Sequence, residues 1–170
     1  MLSLSYLSEI FTRYGSEIDT PVASFKIGGR HFDFGANPAI MGVINLSHDS
    51  WYRESISLTT ESAIARGRKL VAEGADIIDL GAEATMAETA RVNAAAQIAA
   101  LVPVIEGLRA EGIIVSAETY SPEVVEACLV AGANVLNLTG SEHESEVFEL
   151  AASFDATVIM CYVQGINIRE

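Results

Sequence analysis

Apolar runs of strand length alternate along most of this chain with stretches whose apolar residues recur at helical spacing. Ile40-Met41-Gly42-Val43-Ile44 ends abruptly in Asn45-Leu46-Ser47-His48-Asp49-Ser50. The design returns in Asp76-Ile77-Ile78-Asp79-Leu80, in Ile113 to Ala117, in Val135-Leu136 and in Ala156 to Val163. Short, nearly continuous apolar runs are the pattern of strands buried on both faces. Between them, Thr59 or Thr60 can cap a helix through Glu73 that stops at Gly74, and a longer helix starts near Asn93, carries Pro103 and closes by Gly112. Ser121-Pro122-Glu123 supplies a cap, a first-turn proline and an acid at the positive end of the dipole for a helix stopped by Gly132. Ser141 with Glu144 forms a capping-box pattern for the next. Strands alternating with crossover helices predict right-handed βαβ units and an α/β fold with a parallel sheet, either open and doubly wound or closed as a (β/α)8 TIM barrel.

Before Ile40 the rule changes. Leu7, Ile10, Phe11 and Tyr14 recur at helical spacing and Gly15 can end that helix, so residues 1–15 predict a short amphipathic lead-in. A polar linker with Pro21 follows. Phe25-Lys26-Ile27 and His31-Phe32-Asp33-Phe34 then alternate around Gly28-Gly29, which is a hairpin signal. The expected organisation is a helical extension and linker over 1–24 and one barrel-type domain over 25–170.

Composition narrows the partners. At 170 residues, 50% hydrophobic and 19% charged, the chain has apolar material for one sizeable core. Its 10 basic and 23 acidic residues give a formal net charge of -13, which repels phosphate backbones and anionic lipid heads, so neither nucleic acid nor a membrane surface is an expected partner. No run reaches the length needed to span a bilayer, and no basic region precedes the first apolar residues. Cys128 and Cys161 both lie in apolar runs with no basic residue nearby. They read as buried, reduced thiols, and the expected compartment is the cytoplasm.

The chemistry gathers at the ends of the strands. Asn45 and Asp49 follow the first strand, Glu83 the second, Glu118 the third, Asn137 the fourth and Gln164 the fifth. In parallel strands these are one end, so the groups can converge on one mouth. Carboxylates in a dry pocket accept from planar donor edges, and an amide oxygen with a carboxylate can hold Mg²⁺ through oxygens. His31, His48 and His143 lack zinc-ligand spacing, and neither a G-x-G-x-x-G loop nor a P-loop lysine is present.

The hairpin with Ile27-Gly28-Gly29-Arg30, the stretch Met41-Gly42-Val43-Ile44-Asn45, the Asp49-Ser50 pair and Glu73 through Gly81 together resemble dihydropteroate synthase. The resemblance continues through Pro103-Val104-Ile105-Glu106, Ser116 to Thr119, Ala131-Gly132-Ala133 and Leu136-Asn137, covering residues 25 to 165 in the family's order. It implies a pterin-binding (β/α)8 barrel, to which this chain supplies the hairpin and about five β/α units. The implied reaction joins 6-hydroxymethyl-7,8-dihydropterin pyrophosphate to p-aminobenzoate in folate biosynthesis, with Mg²⁺. By the same resemblance Asn45 is a metal and pyrophosphate residue and, with Glu118, carries the catalysis. Glu118 and Asn137 hold the pterin, Thr85 meets the phosphate end, and Asp49 and Ser50 join the substrate-binding set.

The departures from the family pattern are local. Its first loop, Thr-Pro-Asp-Ser-Phe, is Ser47-His48-Asp49-Ser50-Trp51 here. The second motif has Ala82, Ala84, Met86, Ala87 and Glu88 at its variable places and lacks the Arg-Pro, and the third-strand acid, aspartate in the family, is Glu118. The pterin floor is thus kept better than the loops that meet aminobenzoate, which leaves open two alternatives: a methyltetrahydrofolate:corrinoid methyltransferase and a non-catalytic pterin-binding fragment. A full barrel typically takes about 250 residues. The expectation is therefore that a homo-oligomer or a missing C-terminal segment covers the open side.

Overall fold

The computed structural model describes residues 3–47, 56–57, 59–84, 91–140 and 142–161. Helix α1 (Leu4–Ile18) comes first, followed by the hairpin strands β1 (Phe25–Ile27) and β2 (Arg30–Phe32). Then strands and helices alternate: β3 (Met41–Asn45), α2 (Thr60–Ala72), β4 (Ile77–Gly81), α3 (Ala94–Arg109), β5 (Val115–Glu118), α4 (Pro122–Val130), β6 (Val135–Leu138), α5 (Glu144–Ser153) and β7 (Thr157–Met160). Strands β3 to β7 form one five-stranded sheet in sequence order, parallel at every pairing. This is the α/β barrel arrangement, five strands of it joined by four crossover helices.

Alternation along the strands sorts side chains into two faces. On the outer face, Ile44, Ile78, Leu80, Val115 and Ala117 pack under α2, α3 and α4 with Leu101, Val104, Ile105, Leu108, Val124 and Cys128. Two glycines let α2 and α3 approach closely. A Cβ on Gly67 would lie 2.6 Å from Leu108 Cδ2, and one on Gly107 would collide with Ile64. On the inner face, the N-terminal ends of the strands are closed by the hairpin, whose Ile27 and Phe32 pack on Ile77, Ile114 and Val135 with Met41 and Ile159 beside them. The hairpin turn uses Gly28 and Gly29 at φ 55° and 84°, the left-handed conformation that a two-residue turn of this hand requires. Arg30 pairs with Asp76, which also accepts from the Ile40 N–H at 3.0 Å. Those two contacts, the backbone one first, hold the Asp76 carboxyl below the usual range against the opposing effect of burial.

Local details refine the sequence reading. Helix α1 passes Gly15 to Ile18 with a kink at Tyr14, and none of its residues is buried. Thr59 and Asn93 cap α2 and α3 through their side chains, and Pro103 sits inside α3 without ending it. Ser121 precedes α4 but makes no side-chain cap bond. Helix α5 starts from His143, in the left-handed region at φ 61°, rather than from a Ser141–Glu144 box; Ser141 lies outside the described residues. No helix among the described residues is long and apolar enough to cross a membrane.

Candidate functional site

The strand ends opposite the hairpin carry the polar residues of the inner face. Register places Asn45 beside Gly81, Gly81 beside Glu118, and Glu118 beside Asn137, so the four form one row across β3 to β6. Paired residues of parallel neighbours point to the same side, and this row faces the barrel interior. One layer deeper lie Asp79, paired with Val43 and Ser116, and then Val135. The sequence expectation that Asn45, Glu118 and Asn137 converge at one mouth describes this arrangement.

Gly81 gives the row its shape. A Cβ there would lie 2.7 Å from Glu118 Oε2 and 3.4 Å from Asn45 Oδ1, so the carboxylate and the amide oxygen both occupy the space left by the missing side chain. Both are hard oxygen donors, of the kind that a cation such as Mg²⁺ takes. Among the described residues no group of three His, Cys, Asp or Glu side chains could hold a metal unaided. A cation here would draw its remaining ligands from water and from a bound phosphate, as Mg²⁺ commonly does.

Beneath that row, Asp79 is a carboxylate at 4% exposure in the barrel interior. The Ser116 hydroxyl donates to its Oδ1 at 2.6 Å, and Asn137 Nδ2 donates to its Oδ2 at 3.1 Å. The second of these bonds reaches from β6 to β4 over β5, so the sheet is curved enough for side chains two strands apart to meet. Burial raises the Asp79 pKa and its two hydrogen bonds oppose the rise. Glu118 is pushed up to about 7, first by burial, then by the negative charges of Asp79 and Glu83, with a Thr139 hydrogen bond opposing. At neutral pH Glu118 is therefore poised between a carboxylate that accepts donors and a neutral acid.

Glu83 follows β4, as expected, but its oxygens bind the protein. The Val92 N–H donates to Oε1 and the Tyr120 hydroxyl to Oε2, both at 2.8 Å, so Glu83 ties the loops after β4 and β5 together. Asp49, Ser50, Thr85, His48 and Gln164 lie outside the described residues.

Two features escape a reading of strand ends alone. Asp79 lies inside a strand, and its signal is a carboxylate interrupting Ile77-Ile78-Asp79-Leu80 two positions before Gly81, hence on the same face. Cys161 corrects the expectation of two buried thiols. Cys128 is buried, and that burial pushes its thiol up to about 12, whereas Cys161 is exposed just past β7. The strand itself ends at Met160, inside the apolar run, and the next side chain turns to the polar mouth and donates to Asn137 Oδ1 at 3.5 Å.

Comparison with known proteins agrees with this geometry. The sequence model of the family described as pterin binding enzyme matches residues 41–168. Dihydropteroate synthase of Streptococcus pyogenes serotype M18 is 36% identical over 147 residues, which cover 85% of this chain and 54% of the relative. Among solved structures, dihydropteroate synthase of Yersinia pestis in complex with a sulfonamide drug superposes with a TM-score of 0.76 at 26% identity, covering 85% of this chain and 52% of that one. Xanthomonas albilineans dihydropteroate synthase with 4-aminobenzoic acid gives a TM-score of 0.72 at 29% identity, covering 84% and 52%. The chain spans about half the length of the curated dihydropteroate synthases it matches. With its parallel strands, its hairpin-closed base and its row of amides and carboxylate at the other end, the chain belongs to the pterin-binding enzymes, on the TIM-barrel fold of the dihydropteroate synthases.

Proposed function

We propose that the protein carrying this chain is a dihydropteroate synthase-like transferase, condensing 6-hydroxymethyl-7,8-dihydropterin pyrophosphate with p-aminobenzoate. The observation that carries this reading is the row of Asn45, Glu118 and Asn137 around Gly81. A pterin presents a planar edge of amino and ring N–H donors. An ionised Glu118 accepts from such an edge with two oxygens, and the Asn137 amide offers one donor and one acceptor beside it.

In the condensation the aminobenzoate nitrogen forms a bond to the exocyclic methylene, the bond from that carbon to the pyrophosphate oxygen breaks, and the nitrogen gives up a proton. Positive charge develops on the dihydropterin as pyrophosphate departs. A carboxylate held in a poorly solvated mouth stabilises that charge without reorganising, which is the role given to Glu118. Asn45, beside Gly81, holds the pyrophosphate end, and Asp49, Ser50 and Thr85 complete the substrate-binding set. Mg²⁺ at Asn45 would neutralise charge on the departing pyrophosphate.

The sheet edges fit a covered barrel. Val43 on β3 is 40% exposed and Met160 on β7 is 64% exposed, and such edges favour a further segment or a second copy over them. Two thiols with no disulfide partner support the cytoplasm as the compartment.

Equilibrium titration of the full chain with dihydropterin pyrophosphate and with methyltetrahydrofolate, each with and without Mg²⁺, tests the reading. The synthase reading expects Mg²⁺-assisted binding of the pyrophosphate, weakened in Asn45→Ala. Binding of methyltetrahydrofolate alone would transfer the protein to the corrinoid methyltransferases. A folded, monodisperse chain that binds neither would be a non-catalytic fragment.

A further inference from the structure

We propose that Cys161 is a positioning residue of the candidate pterin site: its thiol holds the Asn137 amide in the one orientation that leaves Asn137 complementary to a ligand. The inference rests on the pterin-site reading above and adds to it a residue and a role.

An asparagine amide has two faces of nearly equal shape and opposite hydrogen-bonding sense, so its orientation must be set by its partners. Asn137 has one on each side. Its Nδ2 donates to Asp79 Oδ2 at 3.1 Å, and its Oδ1 accepts from Cys161 Sγ at 3.5 Å. Turning the amide over would set Oδ1 against the Asp79 carboxylate, losing that bond, and would exchange the S–H···O bond for a contact in which the NH2 group meets a sulfur that accepts only weakly. The first contact is itself anchored, because the Ser116 hydroxyl occupies the other Asp79 oxygen at 2.6 Å. A chain of donors and acceptors therefore runs from Ser116 on β5 through Asp79 on β4 and Asn137 on β6 to the residue after β7. It leaves Asn137 one N–H and one lone pair for a ligand. The thiol stays protonated and able to donate, since burial and the negative charges of Glu118 and Asp79 all raise its pKa.

Neutral hydrogen bonds contribute modestly, so the loss of this one should weaken ligand binding about three- to tenfold, far less than loss of Asn137 itself. The test is calorimetric titration of the full chain with 6-hydroxymethyl-7,8-dihydropterin pyrophosphate, comparing wild type, Cys161→Val, Cys161→Ser and Asn137→Ala. Valine, apolar and larger by about a methyl group, removes the donor and should give the full loss, while serine, a donor on a shorter bond, should recover part of it. Equal binding by wild type and Cys161→Val, with Asn137→Ala impaired, would overturn the role of Cys161 and leave the site reading intact. Undiminished binding by Asn137→Ala would overturn the site reading and this inference with it.

A second measurement needs no variant. The Cys161 thiolate attacks iodoacetamide, forming a carbon–sulfur bond as iodide leaves and the thiol proton passes to water, while buried Cys128 serves as the unlabelled control. Saturating dihydropterin pyrophosphate should slow labelling of Cys161 at least tenfold. Unchanged labelling at saturation would place the thiol away from the ligand and overturn the proposal.

Discussion

The same five strands end in opposite environments. At their N-terminal ends Met41, Ile77, Ile114 and Val135 meet Ile27 and Phe32 of the hairpin in an apolar plug. At their C-terminal ends, two to four residues along the same inner face, stand Asn45, Asp79, Glu118 and Asn137. The plug buries aliphatic and aromatic surface and stabilises the sheet. The mouth crowds carboxylates into a poorly solvated space and holds Glu118 at about 7, an arrangement that opposes folding at neutral pH and makes sense for a ligand that supplies donors. Stability and recognition are thus separated along the strand axis, and substitutions at the two ends should separate them too.

The largest expected effect is at the plug. Phe32→Ala removes a buried ring that packs with Phe25 and Phe34 at centroid distances of 6.2 and 6.0 Å, and should lower unfolding stability by about 3–5 kcal/mol in a urea titration. Pterin affinity of the folded fraction should stay within about twofold. An equal loss of affinity would mean that the two ends are coupled.

At the mouth the sign reverses. Glu118 has a folded pKa raised to about 7 from 4.5, so its neutral form is favoured by folding. Its stabilising contribution is complete below the unfolded value near 4.5 and is lost as pH rises through about 7. Glu118→Gln should therefore stabilise the chain by about 3 kcal/mol at pH 8 and hardly at all at pH 4, read by thermal or urea unfolding at both pH values. A variant no more stable at pH 8 than wild type would show that Glu118 is not strained by its surroundings.

Gly81→Ala comes next. Its Cβ would meet the far end of the Glu118 side chain at 2.7 Å, which can move aside, so stability should change by less than about 1 kcal/mol. The displaced carboxylate should weaken pterin binding about tenfold, checked by the same titration. The smallest effect belongs to the pair of Arg30 and Asp76 below the plug, where Arg30 is 55% exposed. Arg30→Met should change stability by less than about 1 kcal/mol at low salt, and by less still at high salt.

The apolar plug and the layering of the fold were legible because they follow period-two and period-three-to-four patterns, which Phe25 to Phe34 and the five strand runs state openly. Thr59 and Asn93 announced their helices through side-chain caps. His143 did not, because a left-handed N-cap without a side-chain bond leaves no compositional mark. At the site, Asn45, Glu118 and Asn137 were legible as polar ends of apolar runs. Asp79 and Cys161 were not, because their roles depend on contacts across strands: a bond from β4 to β6 and a thiol turned toward Asn137. Sequence gives the strand and the face, while curvature of the sheet decides which side chains meet.

Placement of the pterin at this mouth depends most directly on Glu118 as its acceptor. The decisive measurement is the calorimetric affinity of the full chain for 6-hydroxymethyl-7,8-dihydropterin pyrophosphate at pH 8 and pH 6, for wild type and Glu118→Gln. Because donors on the ligand need the carboxylate and Glu118 titrates at about 7, wild-type affinity should fall about tenfold between pH 8 and pH 6 beyond any change seen in Glu118→Gln, which should bind weakly at both. Equal affinities for the two proteins at pH 8, with the same pH dependence, would contradict the placement of the pterin at this mouth.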